Sequence, residues 1–243
     1  EVTYNYDCLG TEELSAASDL ESQLLGITSE MTGVTVSVDE EMEMGQEMHR
    51  FSNNSMKFLY GDDLNRVKEI LNKLIPHIQN PKGFDYKIYV IKEEQINAFT
   101  VGGLIYVTSG MLDFVQNNDE LACVIGHEIA HNEQGHIANN LKKFKISTSL
   151  FGDELGSALF GLNDMFTQSF NQKKETESDF YGIGYAFRAG YKGCESITVW
   201  ERMSESEDDF DQLSNIGRSH PFSEKRAECC RNHIEENFRA KCD

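Results

Sequence analysis

The sequence predicts an α+β fold, mostly helical, with a small three-stranded sheet beside one long central helix. Three observations carry this. Residues 62–79 place Leu64, Val67, Ile70, Leu71, Leu74, Ile75 and Ile78 at 3.6-residue spacing, the apolar stripe of an amphipathic helix. After Asn80-Pro81-Lys82-Gly83 the period changes to two, and residues 86–90 alternate as a strand. Helical patterning then returns in a largely apolar stretch that starts at Asp119-Glu120-Leu121 and runs on to Asn140.

Taken in order, residues 1–37 form a peripheral N-terminal extension, polar and Ser/Glu-rich, with weak helical patterning around Leu14, Leu20, Leu24 and Leu25. Residues 38–243 are expected to make one domain. Its first helix covers residues 39–48, with acidic side chains in the first turn and methionines that suit core packing better than a sticky surface. After the helix over 62–79 and the strand over 86–90, residues 97–100 and 104–107 give two more strands, separated by Gly102-Gly103. Ser109 is placed to cap a short helix, and Asn118 or Asp119 to cap the central one. Further helices are expected over 141–151, 153–172, 174–189 and 195–207, then a polar loop, then a last helix over 223–238.

Composition narrows the function. A net charge of −19 across 243 residues is a poor footprint for nucleic acid or an anionic membrane. No run reaches the ~18 uninterrupted apolar residues of a membrane span, because Asp153, Glu154 and Asp164 interrupt the best candidate, residues 146–166. No signal peptide is visible at the start. Cys8, Cys123, Cys194, Cys229, Cys230 and Cys242 contain no C-x-x-C pair, which disfavours a cysteine metal site. Cys123 lies on the apolar face of the central helix and reads as a buried thiol. One or two disulfides are expected if the protein is exported; neighbours Cys229 and Cys230 would take different partners.

The chemistry sits in His127-Glu128-Ile129-Ala130-His131. A helix turns about 100° per residue, so the two histidines lie about 40° apart on one face and can grip one zinc ion. Glu128 projects about 100° away, too far to ligate but placed to hold an attacking water as general base. Val124, Ile125, Ile129 and Ala130 imply burial, and burying His, Glu and His together is costly without a partner. A metal is that partner, in the H-E-x-x-H arrangement of zinc peptidases.

A catalytic zinc takes three protein ligands. Glu175 is the third candidate, with Glu177 competing, since residues two apart on a helix face opposite ways. Asp179 shares Glu175's face and suits a hydrogen bond to a zinc histidine. On a central helix continuing to Asn140, His136 lies about 180° from His127 and reads as structural or surface. His49, His77 and His233 have no ligand-like spacing. His220 precedes Pro221, which holds it out of the helical conformation; such a loop histidine can reach a metal, or steady charge at a reacting carbonyl.

These blocks together resemble the HtpX / CAAX-prenyl-protease family of zinc metallopeptidases, and most of all its soluble, exported, beta-barrel-assembly-associated branch. The blocks are Glu43-Met44-Gly45, Asn97-Ala98-Phe99, Gly103-Leu104-Ile105-Tyr106-Val107-Thr108-Ser109-Gly110, His127 to His131, Glu175-Thr176-Glu177-Ser178-Asp179, and His220-Pro221 followed by Arg226. The resemblance implies a gluzincin-like domain with one zinc per chain. Glu175 would complete the site beside His127 and His131, Asp179 would orient His127, and His220 would lie near the metal on a covering loop. Two departures are evident: the membrane-spanning helices of many relatives are missing, and Ser178 stands where the family often has Ala.

The function expected is an endopeptidase of protein quality control, extracytoplasmic and acting on unfolded or misfolded polypeptide. Glu128 would be its base and His220 an aid at the oxyanion. Extended substrate would add to the strand at Asn97, Ala98 and Phe99. The alternative is a latent or chaperone-like zinc protein in which His220 blocks the open metal position.

Overall fold

The computed structural model describes residues 2–10, 26–27, 29–52, 55–151, 171–205, 220 and 224–242. The expected helix over 153–172, the polar loop before His220, Pro221 and the leucines at 14, 20, 24 and 25 lie, almost entirely, outside the described residues.

Among those described, the elements run α1 (Val38–Ser52), β1 (Phe58–Leu59), α2 (Asp62–Leu74), β2 (Lys87–Ile91), β3 (Ala98–Val101), β4 (Leu104–Thr108), α3 (Ser109–Phe114), α4 (Asn118–Glu133), α5 (His136–Phe151), α6 (Gln172–Arg188), α7 (Glu195–Glu205) and α8 (Glu224–Phe238). The sheet has four strands rather than three, in the order β1-β2-β4-β3. The added strand is two residues long, too short to show a period of two. β2 and β4 are parallel, Ile88 opposite Ile105, and β3 returns antiparallel to β4, Phe99 opposite Tyr106.

Gly102 and Gly103 make the β3–β4 turn with φ of +54° and +81°, the left-handed pair that a two-residue hairpin turn requires. Gly102 also lies against the α1 backbone at Glu41, leaving no room for a Cβ. The helix expected over 62–79 stops at Leu74 and tightens into a 3₁₀ turn over Ile75–His77. Pro76 is the cause, for it has no N–H to continue an α-helix. Both cap expectations move one residue earlier. Thr108, still extended, accepts from the Met111 N–H and starts α3; Asn117 accepts from the Glu120 N–H and starts α4. An extended residue is what lets a short side chain reach back to the first-turn amides.

α4 is buried along almost its whole length. One side of the sheet packs with α2 and α4 through Val67, Leu71, Ile88, Val107, Ile125 and Ile129. The other side meets α1 and α5 through Met44, Met48, Tyr106, Ile137 and Leu141, so these methionines fill core space. Arg202 of α7 clamps buried Glu120 at 2.6 and 2.8 Å. α6 crosses α4 at a glycine pair. A Cβ on Gly126 would meet the Gly182 carbonyl oxygen at 2.8 Å, and one on Gly182 would meet the His127 nitrogen at 2.6 Å. Larger residues there would separate the two helices that carry the site.

Two disulfides join distant parts of the chain, Cys8 to Cys229 and Cys194 to Cys242. Cys123 and Cys230 are buried thiols. Residues 2–10 pack across α6 and α8: Tyr4 stacks on Tyr181, Tyr6 on Phe180, and Leu9 is wholly buried. No helix among the described residues is long and apolar enough to cross a membrane.

His233 is also buried, stacked face to face on Phe180 at 4.2 Å. Burial disfavours its charged form and pushes it down to about 4. The unfolded chain therefore binds a proton at this position below about pH 6.5 while the folded chain does not, so stability is lost as pH falls from about 6.5 to 4. Between pH 7 and pH 5 this one group should remove about 2 kcal/mol. Urea unfolding of wild type and His233→Gln at both pH values checks it: the variant's loss should be smaller by that amount, and equal losses refute it.

Candidate metal centre

α4 presents His127 and His131 on one face, one turn apart, with Glu128 beside them. α6, capped by Asn171 accepting from the Lys174 N–H, brings Glu175 in its first turn and Asp179 one turn on. These come together with His220. One ligating atom from each of His127, His131, Glu175 and His220 lies within 4.8 Å of all the others, and all four residues are buried. The two histidine Nε2 atoms are 2.9 Å apart. Glu175 lies 3.4 Å from each of them. His220 Nδ1 lies 3.3 Å from His127 Nε2 and 3.1 Å from Glu175 Oε2.

The donor chemistry fits a cation. Asp179 Oδ1 accepts from His127 Nδ1 at 2.8 Å, so the other nitrogen of a neutral His127 ring offers a lone pair to the cluster. Lone pairs of His131 and Glu175 converge on the same point. Burial opposes a charge on His127, yet its hydrogen bonds with Asp179 and Glu175 outweigh this and push it up to about 10. The pocket thus favours positive charge at the place where the ligating atoms meet. Burial would also raise Glu175, but His220, Arg226 and its histidine hydrogen bonds hold it well below the usual carboxylate range. It is held as an anion, the form in which a carboxylate can bind a metal.

Glu128 is buried beside this cluster, its Oε1 3.7 Å from His220 Nε2. Burial raises its carboxyl above the usual range, only partly offset by His220 and His127. That is the direction a general base near neutrality needs.

Further buried contacts hold these candidate ligands in place. Arg226 is buried and bonds Asp179 through Nε at 2.9 Å and Nη2 at 3.0 Å, with Nη1 3.1 Å from Glu175. Its guanidinium lies over the Trp200 ring, which packs in a T-shaped contact with His127. Asn132, the residue after the second histidine, donates to Thr100 Oγ1 at 2.7 Å and accepts from the Gly103 N–H at 3.2 Å. It fastens the site helix to the β3–β4 hairpin. β3 is an edge strand of the four-stranded sheet. Ala98 and Phe99 open that strand, Phe99 stacked on Tyr106, while Asn97 just precedes it with a buried, unpartnered side-chain oxygen among the described residues.

The profile of peptidase family M48 matches residues 63–234, spanning the site helix, α6 and Arg226. The chain belongs to peptidase family M48. It is 28% identical over 207 residues to the mitochondrial metalloendopeptidase OMA1 of Schizosaccharomyces pombe, covering 79% of this chain and 60% of that protein. It is 25% identical over 222 residues to the beta-barrel assembly-enhancing protease of Yersinia pestis, covering 84% of this chain and 46% of that protein. It is 29% identical over 187 residues to the metalloprotease LoiP of Escherichia coli, covering 72% and 70%. The chain therefore spans about half the length of several curated relatives. The resemblance seen in the sequence blocks holds at the level of this M48 branch.

Sequence reasoning missed Asn132, read His136 as structural or surface, and weighed Glu177 only as a competitor of Glu175 for the metal. α4 does not continue to Asn140. It ends at Glu133 with Gln134 as its C-cap, and Gly135 turns the chain with φ of +76° before α5 begins at His136. The 180° offset computed for a continuous helix no longer applies. Instead His136 Nδ1 lies 3.0 Å from His131 Nδ1, and its Nε2 lies 3.0 Å from Glu177. Gly135 was the available signal, for glycine just past a periodic run marks a helix end.

Proposed function

We propose that this chain is a zinc-dependent endopeptidase acting on unfolded or misfolded polypeptide, in extracytoplasmic protein quality control. The carrying observation is the buried convergence of the His127, His131 and Glu175 ligating atoms beside a Glu128 carboxylate that has no structural ion pair with lysine or arginine among the described residues. A structural metal has no need of that carboxylate.

Bound there, zinc would polarise the scissile carbonyl and lower the pKa of water. Glu128 takes a proton from the attacking water and passes it to the leaving amine. Asp179 and Arg226 keep the ligands aimed. β3, an edge strand fastened to the site helix by Asn132, suits an extended chain adding by backbone hydrogen bonds, which favours main-chain reading over side-chain preference. Two disulfides support an oxidising compartment.

Zinc content and casein cleavage test this together. One zinc per chain is expected, with cleavage lost on chelation and restored by stoichiometric zinc. Finding no bound zinc and no cleavage would overturn the reading.

A second reading rests on His220. Its Nδ1 stands within 3.3 Å of His127 and Glu175, where a fourth ligand would exclude water, so a latent form awaiting displacement of His220 is supported. His220→Ala separates the two roles. Faster cleavage means the histidine blocks the site; a loss in kcat with KM unchanged means it steadies the oxyanion.

A further inference from the structure

The two histidines of the H-E-x-x-H helix need the same thing: a protonated Nδ1, so that Nε2 can offer its lone pair to the metal. For His127 the acceptor is Asp179. For His131 the neighbour is another histidine, and two facing imidazole nitrogens 3.0 Å apart must share one proton. Which ring holds it decides whether His131 can ligate.

Glu177 settles the choice. Its carboxylate accepts only, so His136 Nε2, 3.0 Å away, donates to it. A neutral His136 ring then has a bare Nδ1, which accepts from His131 Nδ1–H. Ser178 Oγ, 3.3 Å from the same nitrogen, can donate there too, and this is the position where the family often has Ala. With its proton so placed, His131 turns its Nε2 lone pair towards His127 Nε2 and Glu175, 2.9 and 3.4 Å away.

We propose that Glu177 and His136 form a carboxylate–histidine relay that fixes the tautomer and ring orientation of His131, as Asp179 does for His127. His136 is a positioning residue, fully buried, while Glu177 stands at the rim with its side chain 32% exposed. One short stretch of α6 therefore serves the metal three times: Glu175 directly, Glu177 through His136 and His131, and Asp179 through His127. Residues two apart face opposite ways on a helix; the turn at Gly135 makes this possible, since it brings α5's first residue round to meet Glu177.

This inference rests on the metal reading above, and its test reads metal affinity rather than turnover. Zinc affinity is measured by competition with a coloured chelator on the full chain, with the melting temperature of each metal-free form as a check of folding. His136→Phe keeps the ring shape but removes both nitrogens, and should weaken zinc binding about 10- to 100-fold. His136→Asn returns an acceptor near the Nδ1 position and should recover most of that loss, which a purely packing role would not do. Glu177→Met, at the half-exposed rim, should weaken binding about 10-fold and decides the matter if His136→Phe does not fold. Wild-type affinity in folded His136→Phe or Glu177→Met, or Asn no better than Phe, overturns the relay. A wild-type chain that binds no zinc instead overturns the metal reading on which it stands.

Discussion

Glu128→Gln is expected to keep its full zinc content and lose casein cleavage by about 10³-fold, the upper-middle of what a positioned general base contributes. The loss corresponds to about 4 kcal/mol of transition-state stabilisation. The substitution is nearly isosteric, and Glu128 is not one of the four converging ligands, so the metal has no reason to leave. Stability should not fall either. Burial already raises the Glu128 carboxyl, so the folded state bears a cost for its charge that a neutral amide removes. Kinetically, kcat and kcat/KM should fall together while KM holds, because proton transfer is felt only in the transition state. Zinc analysis, melting temperature and cleavage on one preparation check it. Cleavage within several-fold of wild type would show that another group is the base; lost zinc would show that Glu128 holds the site together.

Much of this was legible because helix periodicity translates directly into which side chains meet. His127, Glu128 and His131 follow from a 3.6-residue period alone, and the structure brings Asp179 to His127 across the i, i+4 spacing from Glu175. The sheet was legible from the change of period after Gly83, apart from β1, which has only Phe58 and Leu59. What failed was continuity. The helix was carried through Gln134-Gly135 although the glycine marks a stop, and that one left-handed residue changes the direction of His136 entirely. Arg226 was recognised only within a block: a lone arginine has no period, and its meaning lies in two carboxylates on a different helix. Asn132 was passed over because an asparagine beside a metal motif carries no signal until its partners, Thr100 and Gly103, are known in space.

Arg226→Met should cost the metal-free protein about 3–5 kcal/mol, the range for removing one partner from a buried charge network. Methionine fills most of the volume, so the loss is electrostatic. Burial opposes the charge of Arg226, but Asp179 and Glu175 outweigh that cost and raise it above its ordinary value. The reciprocal holds for Asp179: burial raises it, and Arg226 with His127 brings it below the usual range. Without the guanidinium, two buried carboxylates one turn apart on α6 keep, among the described residues, only histidines to neutralise them. A bound cation relieves part of that, so zinc should restore more stability to the variant than to wild type, provided enough affinity remains, because ligand stabilisation is set by concentration over Kd. Arg226→Lys should recover little, since one ammonium cannot span the three contacts that a planar guanidinium makes to Asp179 and Glu175. Asp179→Asn combined with Arg226→Met should cost less than the two single losses added together, for each removes the other's need. Urea unfolding of these variants with and without zinc tests the account. A loss under about 1 kcal/mol for metal-free Arg226→Met, the scale of an exposed pair, would mean that the arginine is not what holds the two carboxylates in place.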